Sequence, residues 1–234
     1  NFDRDSVSYF LERIYSQYGY DYREYELGSI MRRIKVSMLR ENMHDFKEFQ
    51  NSVIEDKELF EQLFLDFSIN TTSFFRDPMV FLALKNKVLP YLNSYSHIKI
   101  WCAGCSNGKE AYSLAIMLDE LGMLNKTQIY AADINPYIIE EANNGLYSLE
   151  HIDKDIINYQ HTIGKGNFVD YFELKGNYMK VKSFLKKNIF FFQHSLINSG
   201  IINEFQLILC RNVLIYFNPE LQKKVLENFY NSLD

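Results

Sequence analysis

Apolar residues recur every three or four positions through the first part of the chain. Val7, Phe10, Leu11, Ile14 and Tyr18 fall on one face of a helix, and Leu27, Ile30, Met31, Ile34 and Met38 on one face of a second. "DFKEFQNSVI" and "DKELFEQLFLDF" keep the same period, so residues 1–68 predict an all-α domain. From residue 97 the pattern changes to short, nearly continuous apolar runs that alternate with amphipathic stretches. "HIKIWC" (97–102), "QIYAAD" (128–133), "NIFFFQ" (188–193) and "FQLILC" (205–210) read as strands, and "KEAYSLAIMLDELG" (109–122) reads as a helix. "NPYIIEEANNG" predicts a helix with Asn135 at its N-cap, Pro136 at its first position and Gly145 past its end; "NPELQKKVLENFYNSL" repeats the Asn-Pro start. Such alternation predicts a parallel sheet covered on both faces, with ligands held at the carboxyl ends of its strands. "GKGNFVDYFELKGNYMKVKSFLKK" is richer in glycine and aromatic residues and alternates loosely. It predicts a small inserted antiparallel β-subdomain at about 164–187.

Composition narrows the function classes. The 234 residues are 47% hydrophobic and 24% charged, which is globular, and the formal net charge of −5 disfavours a protein built to grip nucleic acid. No apolar run reaches the length of a membrane span, and "NFDRDSVSYF" does not read as a signal peptide. Cys102, Cys105 and Cys210 make no disulfide framework, and no second pair or spaced histidine completes a zinc site around the lone CxxC. No metal site is expected, and a reducing cytoplasm fits these thiols.

The polar residues collect at the predicted strand ends. "AGCSNGKE" follows the first strand, with Gly104 and Gly108 in a turn that opens a helix, so a ligand could approach the backbone. Asn107 and Glu110 also have capping-box spacing. Asp133 ends the second strand, where a carboxylate can accept ribose hydroxyls or make an Asx turn before Asn135. This layout is that of a nucleoside-binding domain and does not separate a nicotinamide cofactor from S-adenosylmethionine. Arg211 and Asn212 interrupt "FQLILCRNVLIYFNP", which places them at a strand's carboxyl end, with Tyr216 one turn later. The second helix carries Arg32, Arg33, Lys35 and Arg40 as a basic face, either solvated or a docking surface for an acidic partner.

Taken together, "NTTSFFRDP" (70–78), "IWCAGCSNGKEAYSLAI" (100–116), "IYAADINPYIIEEANNGLY" (129–147), "FFFQHSLIN" (190–198) and "LILCRNVLIYF" (207–217) resemble the CheR-type chemotaxis receptor methyltransferases, in that family's order. These are S-adenosylmethionine-dependent protein-glutamate O-methyltransferases. The resemblance implies an N-terminal helical domain (1–68), a linker (69–80) and a Rossmann-like methyltransferase domain (81–234) holding the β-subdomain. It implies that Asn70, Thr72 and Arg76 reach over the cofactor, beside the Gly104 turn. Glu110 and Asp133 would hold its amino-acid and ribose parts, and Ser195 and Leu196 would lie beside the adenine. Arg211 and Asn212 would line the pocket near the reacting centre, with Tyr216 facing the methyl group and Arg76 and Tyr216 as the catalytic pair. Arg32, Arg33, Lys35 and Arg40 would meet the methylated helix of a chemoreceptor. A cytoplasmic monomer is expected. A non-catalytic CheR-like module that binds S-adenosylmethionine or a receptor, and a methyltransferase with another substrate, are the alternative readings. The chain departs from the family at "SNGKEA", where "STGEEP" is usual, and at Ser195, where Asn is common. The family pattern would also continue beyond Asp234 into a terminal hairpin, so the sheet is expected to end two strands short.

Overall fold

A computed structural model describes residues 2–67, 72–162, 165–197 and 204–234. The chain divides into two compact units, one of residues 1–69 and 212–227, the other of 70–211 and 228–234.

The first unit packs four helices, α1 (Arg4–Tyr18), α2 (Leu27–Arg40), α3 (Phe46–Glu55) and α4 (Lys57–Phe67). Asp3, Glu26 and Asp45 cap the first three, each side chain accepting from backbone N–H groups that the helix leaves unpaired. The predicted stripe is the core here: Val7, Phe10, Leu11, Ile14, Ile30, Ile34 and Met38 are buried together with Phe49, Leu63 and Phe64. The segment 212–227 belongs to this unit as well. Phe217 pairs with Tyr25 in an isolated antiparallel bridge, and their rings meet at 5.0 Å. Asn218 donates its backbone N–H to the carbonyl of Glu24 (2.9 Å), then caps α11 (Pro219–Ser232) by accepting from Leu221 N–H.

In the second unit a four-stranded sheet has the order β6-β2-β1-β7 and every pairing is parallel: β1 (Ile98–Ala103), β2 (Thr127–Asp133), β6 (Ile189–Gln193) and β7 (Leu207–Leu209). The order reverses between β1 and β7, the switch point at which such sheets bind ligands. Helix α7 (Lys109–Glu120) follows β1, and from Ala111 to Leu118 every residue is buried. Helix α8 (Pro136–Asn144) follows β2, capped by Asn135 and ended by Gly145 at φ 61°, as the Asn-Pro and Gly signals predict. Ahead of the sheet run α5 (Pro78–Ala83), a π-helical turn at Leu84–Val88 and α6 (Leu89–Leu92), which the sequence pattern did not reveal.

The inserted antiparallel unit is present, with β4 (Phe172–Lys175) and β5 (Tyr178–Val181) at its hairpin. It recruits a third strand, β3 (Leu146–Ser148), from before α9 (Ile152–Thr162), giving the order β3-β5-β4. A short helix, α10 (Ser183–Lys186), leads back to β6. Among the described residues no helix is long and apolar enough to cross a membrane.

Candidate functional site

The chain leaves β1 through Gly104, whose φ of 71° is open to glycine without strain. Cys105 N–H then donates to the carbonyl of Ala132 (2.8 Å), pinning the turn to the neighbouring strand. Ser106 N–H donates to Asp133 Oδ2 at 2.9 Å, and Asn135 N–H to Asp133 Oδ1 at 3.0 Å. The Asx turn is therefore real, and the same carboxylate also fixes the glycine turn. Burial pushes the Asp133 carboxyl above its ordinary range, and the backbone donors at Asn135 and Ser106 pull it partly back.

The capping box does not form. Gly108 (φ 88°) is the N-cap of α7 with no side-chain cap, and Asn107 instead donates its amide to Glu141 Oε1 (3.3 Å). Glu110 is thereby available for another partner, Arg211, which stands just past β7. The Arg211 Nη1 donates to Glu110 Oε2 at 2.8 Å, while its Nη2 donates to the Arg76 carbonyl and to Asp77 Oδ2, both at 2.8 Å. The pair is well shielded, with side chains 13% and 15% exposed, so its charges are screened little by water. Burial raises the Glu110 carboxyl, and the adjacent Arg211 charge opposes that rise.

Arg76 itself sits on a strained turn. Its neighbours Phe75 (φ 49°) and Asp77 (φ 55°) both adopt the left-handed region, which is uncommon for residues with a Cβ and costs on the order of 1 kcal/mol or more each. Neighbouring groups hold it there. Phe74 N–H donates to Asp155 Oδ1 (2.9 Å), Phe75 N–H to Ser113 Oγ (2.9 Å), and the Asn158 amide to the Phe74 carbonyl (3.0 Å). The Phe74 and Phe75 rings are fully buried in the core of this unit. Lys109, one of the departures from the family pattern, lies 5.5 Å from the Phe74 ring and 5.4 Å from that of Tyr147.

Gly104, Glu110, Asp133, Arg211 and the Arg76 turn thus gather at the carboxyl ends of β1, β2 and β7. Ser195 and Leu196 follow β6 closely: His194 N–H donates to the Asp133 carbonyl (2.9 Å), and Ser195 Oγ accepts from Ile197 N–H (3.3 Å). Thr72 is partly buried, two residues before the braced Phe74, and Asn70 lies outside the described residues. Asn212 and Tyr216 fold with the helical unit instead, Asn212 exposed at φ 59° and Tyr216 accepting at its carbonyl from Glu26 N–H (2.7 Å).

The four basic residues of α2 do not form one free face. Arg40 pairs with Glu41 (2.9 Å) and donates to Asp66 Oδ1 (3.0 Å). Arg33 turns inward, donating Nη1 to the Phe67 carbonyl and stacking over the Tyr216 ring. Arg32 and Lys35 remain exposed, beside Val36 (57%) and Leu39 (68%). What the sequence pattern missed was Asp77 and the Asp155–Ser113 brace. Asp77 was signalled only by the "RDP" triplet, which reads equally well as a helix start, and Asp155 and Ser113 lie far from it in sequence.

A parallel sheet with a glycine turn after its first strand and two partly buried acids at the carboxyl ends of its central strands defines a nucleoside-binding α/β domain. The chain belongs to the CheR methyltransferase family: residues 5–68 match its all-alpha domain and residues 70–234 its SAM binding domain. Cher3 of Pseudomonas putida is 40% identical over 223 residues, covering 95% of this chain and 82% of its own length. The chemotaxis protein methyltransferase of Listeria monocytogenes is 31% identical over 227 residues (96% of this chain, 84% of its own). That of Borreliella burgdorferi is 31% identical over 250 residues (99% and 84%). Among solved structures, the S-adenosylmethionine-dependent methyltransferase SibL in its apo form aligns at a TM-score of 0.39 and 12% identity, over 99% of this chain and 53% of that one. The donor set suits S-adenosylmethionine, since an ammonium and a ribose diol both favour carboxylate acceptors such as Glu110 and Asp133.

Proposed function

We propose that the chain transfers the methyl group of S-adenosylmethionine to glutamate side chains on the cytoplasmic helices of chemoreceptors, as a cytoplasmic, monomeric enzyme of chemotaxis adaptation. Relatives named chemotaxis protein methyltransferase support this reading. So does the Arg211 cluster, in which one guanidinium joins Glu110 to the backbone of Arg76. The domain division that goes with it is a helical domain at 1–68, a linker at 69–80 and a methyltransferase domain from 81 onward.

The cofactor supplies a methyl group already activated on a sulfonium. A glutamate side chain has a pKa of about 4.3 and arrives ionised at neutral pH, so the site has to align it and need not deprotonate it. Alignment means holding oxygen and methyl carbon roughly 3–3.5 Å apart, with water kept away while the opposite charges cancel. In this reading Glu110 takes the amine and Asp133 the ribose, Gly104 opens the turn, and Ser195 and Leu196 flank the adenine. Asn70, Thr72, Arg211 and Asn212 complete the cofactor shell. Arg76 and Tyr216 orient the incoming carboxylate with modest hydrogen bonds, because a strong grip would weaken it as a nucleophile. Replacing Tyr216→Phe should therefore lower turnover more than cofactor affinity; unchanged turnover would remove Tyr216 from the mechanism.

The test is calorimetry with S-adenosylhomocysteine, followed by transfer of a labelled methyl to a chemoreceptor cytoplasmic fragment. Base-labile label on the receptor is the expected result. Binding without transfer would instead make the chain a cofactor-binding or receptor-binding module, and label on another substrate would redirect the assignment.

A further inference from the structure

The inward turn of Arg33 has no place in a docking face. Its neighbour Arg32 is exposed, as a residue meant to meet an acidic helix should be. The Arg33 guanidinium carbon instead lies 5.1 Å from the centre of the Tyr216 ring, and Nη1 donates to the carbonyl of Phe67, the last residue of α4. Among the described residues the buried Nη2 makes no hydrogen bond of normal geometry, and no carboxylate pairs with the group. Burial pushes its pKa down from the ordinary value, with Tyr216 the largest opposing influence. A half-buried cation without an acid is costly, and an apolar side chain would fill the same space more cheaply. What only arginine provides is a flat fork that covers an aromatic face and reaches a carbonyl at once.

The rest of Tyr216 is already fixed. Its carbonyl accepts from Glu26 N–H at 2.7 Å, its N–H donates to Val213 (3.1 Å), and the next residue bridges to Tyr25. The backbone contacts leave the ring torsions open. We propose that Arg33 is a positioning residue for Tyr216, clamping the phenol ring against the end of α4, and not a receptor-docking residue. This rests on the reading that Tyr216 serves methyl transfer, and it assigns to α2 two separate tasks on adjacent residues.

The experiment compares Arg33→Lys, Arg33→Met and Arg32→Met in the full chain. It measures kcat and KM on a chemoreceptor fragment at two ionic strengths, S-adenosylhomocysteine affinity, and the ring resonances of 13C-labelled tyrosine, with Tyr216 assigned through Tyr216→Phe. Both Arg33 variants should lower kcat about tenfold, less than the roughly 100-fold that a 1 Å misplacement can cost, with KM within about twofold of wild type. Their cofactor affinity should hold and the Tyr216 ring resonances should move. Arg33→Met should add nothing to Tyr216→Phe, whereas Arg32→Met should raise KM and weaken its salt dependence. Wild-type kcat in Arg33→Lys, or a KM rise like that of Arg32→Met, would overturn the clamp. If the wild-type chain methylates no receptor, the proposed function fails while the ring resonances still decide the clamp: unmoved in both Arg33 variants, they refute it.

Discussion

Glu110 is asked to face two ways. Its Oε2 is committed to Arg211, while Oε1 takes no hydrogen bond among the described residues and could accept from an ammonium. Glu110→Gln keeps the shape and removes the charge. It should weaken S-adenosylhomocysteine binding about 10- to 100-fold, the worth of one charge-assisted hydrogen bond, as read by calorimetry. Arg211→Met tests the other side of the pair. Glu110 also faces Arg76, Asp77 and the thiols of Cys102, Cys105 and Cys210, all three of which burial pushes up and keeps protonated at neutral pH. With its principal opposing cation gone, the Glu110 carboxyl should rise further, so cofactor affinity should fall off at a higher pH than in wild type. The sign for folding is opposite. A carboxyl raised on folding gains stability when protonated, so acid between the folded and unfolded values stabilises the apo-protein through this group. Affinity that falls while the thermal midpoint holds or rises would identify Glu110; a parallel fall would point to general acid unfolding. Placing Arg211 at a strand end was within reach of the sequence, because an arginine does not belong inside a buried apolar run. Its partner Asp77 was not, being 134 positions away with nothing local to connect them.

Elements governed by local chemistry were legible and those governed by tertiary packing were not. The Asn-Pro starts at Asn135 and Asn218 succeeded because each cap is one side chain meeting its own helix. Strand β3 escaped notice because three residues after Gly145 carry no periodicity, and β5 alone makes them a strand. The "CRNVLIYF" motif looked continuous, yet Arg211 folds with the sheet and Asn212 onward with the helices. The glycine turn tests how tightly the start of α7 packs against α8 and β6. A Cβ on Gly108, at φ 88°, would lie 2.9 Å from Ala142 Cβ and 3.1 Å from the Phe191 ring. Left-handed strain and overpacking together should make Gly108→Ala cost about 2–4 kcal/mol, measured as a lower denaturant midpoint. Gly176, also left-handed at φ 60° but with open space around it, is the control. Gly176→Ala should cost only the backbone term of about 1–2 kcal/mol. Equal losses at the two sites would show that α8 and β6 yield to accommodate the methyl group.

Charge over the whole molecule is the coarsest signal and the one most easily misread. A net −5 hides a basic patch on α2, and the run of four cations overstated that patch. Arg40 has spent its charge on Glu41 and Asp66, and Arg33 is turned inward, which leaves Arg32 and Lys35 beside the exposed Val36 and Leu39. A face of two cations and two aliphatic side chains suits a helix that presents acids interleaved with apolar residues. Reversing both charges, Arg32→Glu with Lys35→Glu, should weaken receptor-fragment binding about tenfold, since exposed pairs contribute roughly 0.2–1 kcal/mol each and reversal adds repulsion. Arg40→Met should change it by less than about twofold, for its charge is already neutralised within the unit. Salt separates the contributions. Raising the ionic strength should weaken wild-type binding and leave the reversed variant less affected, while the Val36 and Leu39 contact persists because burial of apolar area is not screened. Binding that vanished entirely at high salt, or that fell as far with Arg40→Met as with the double reversal, would mean that recognition rests on total charge and not on this patch.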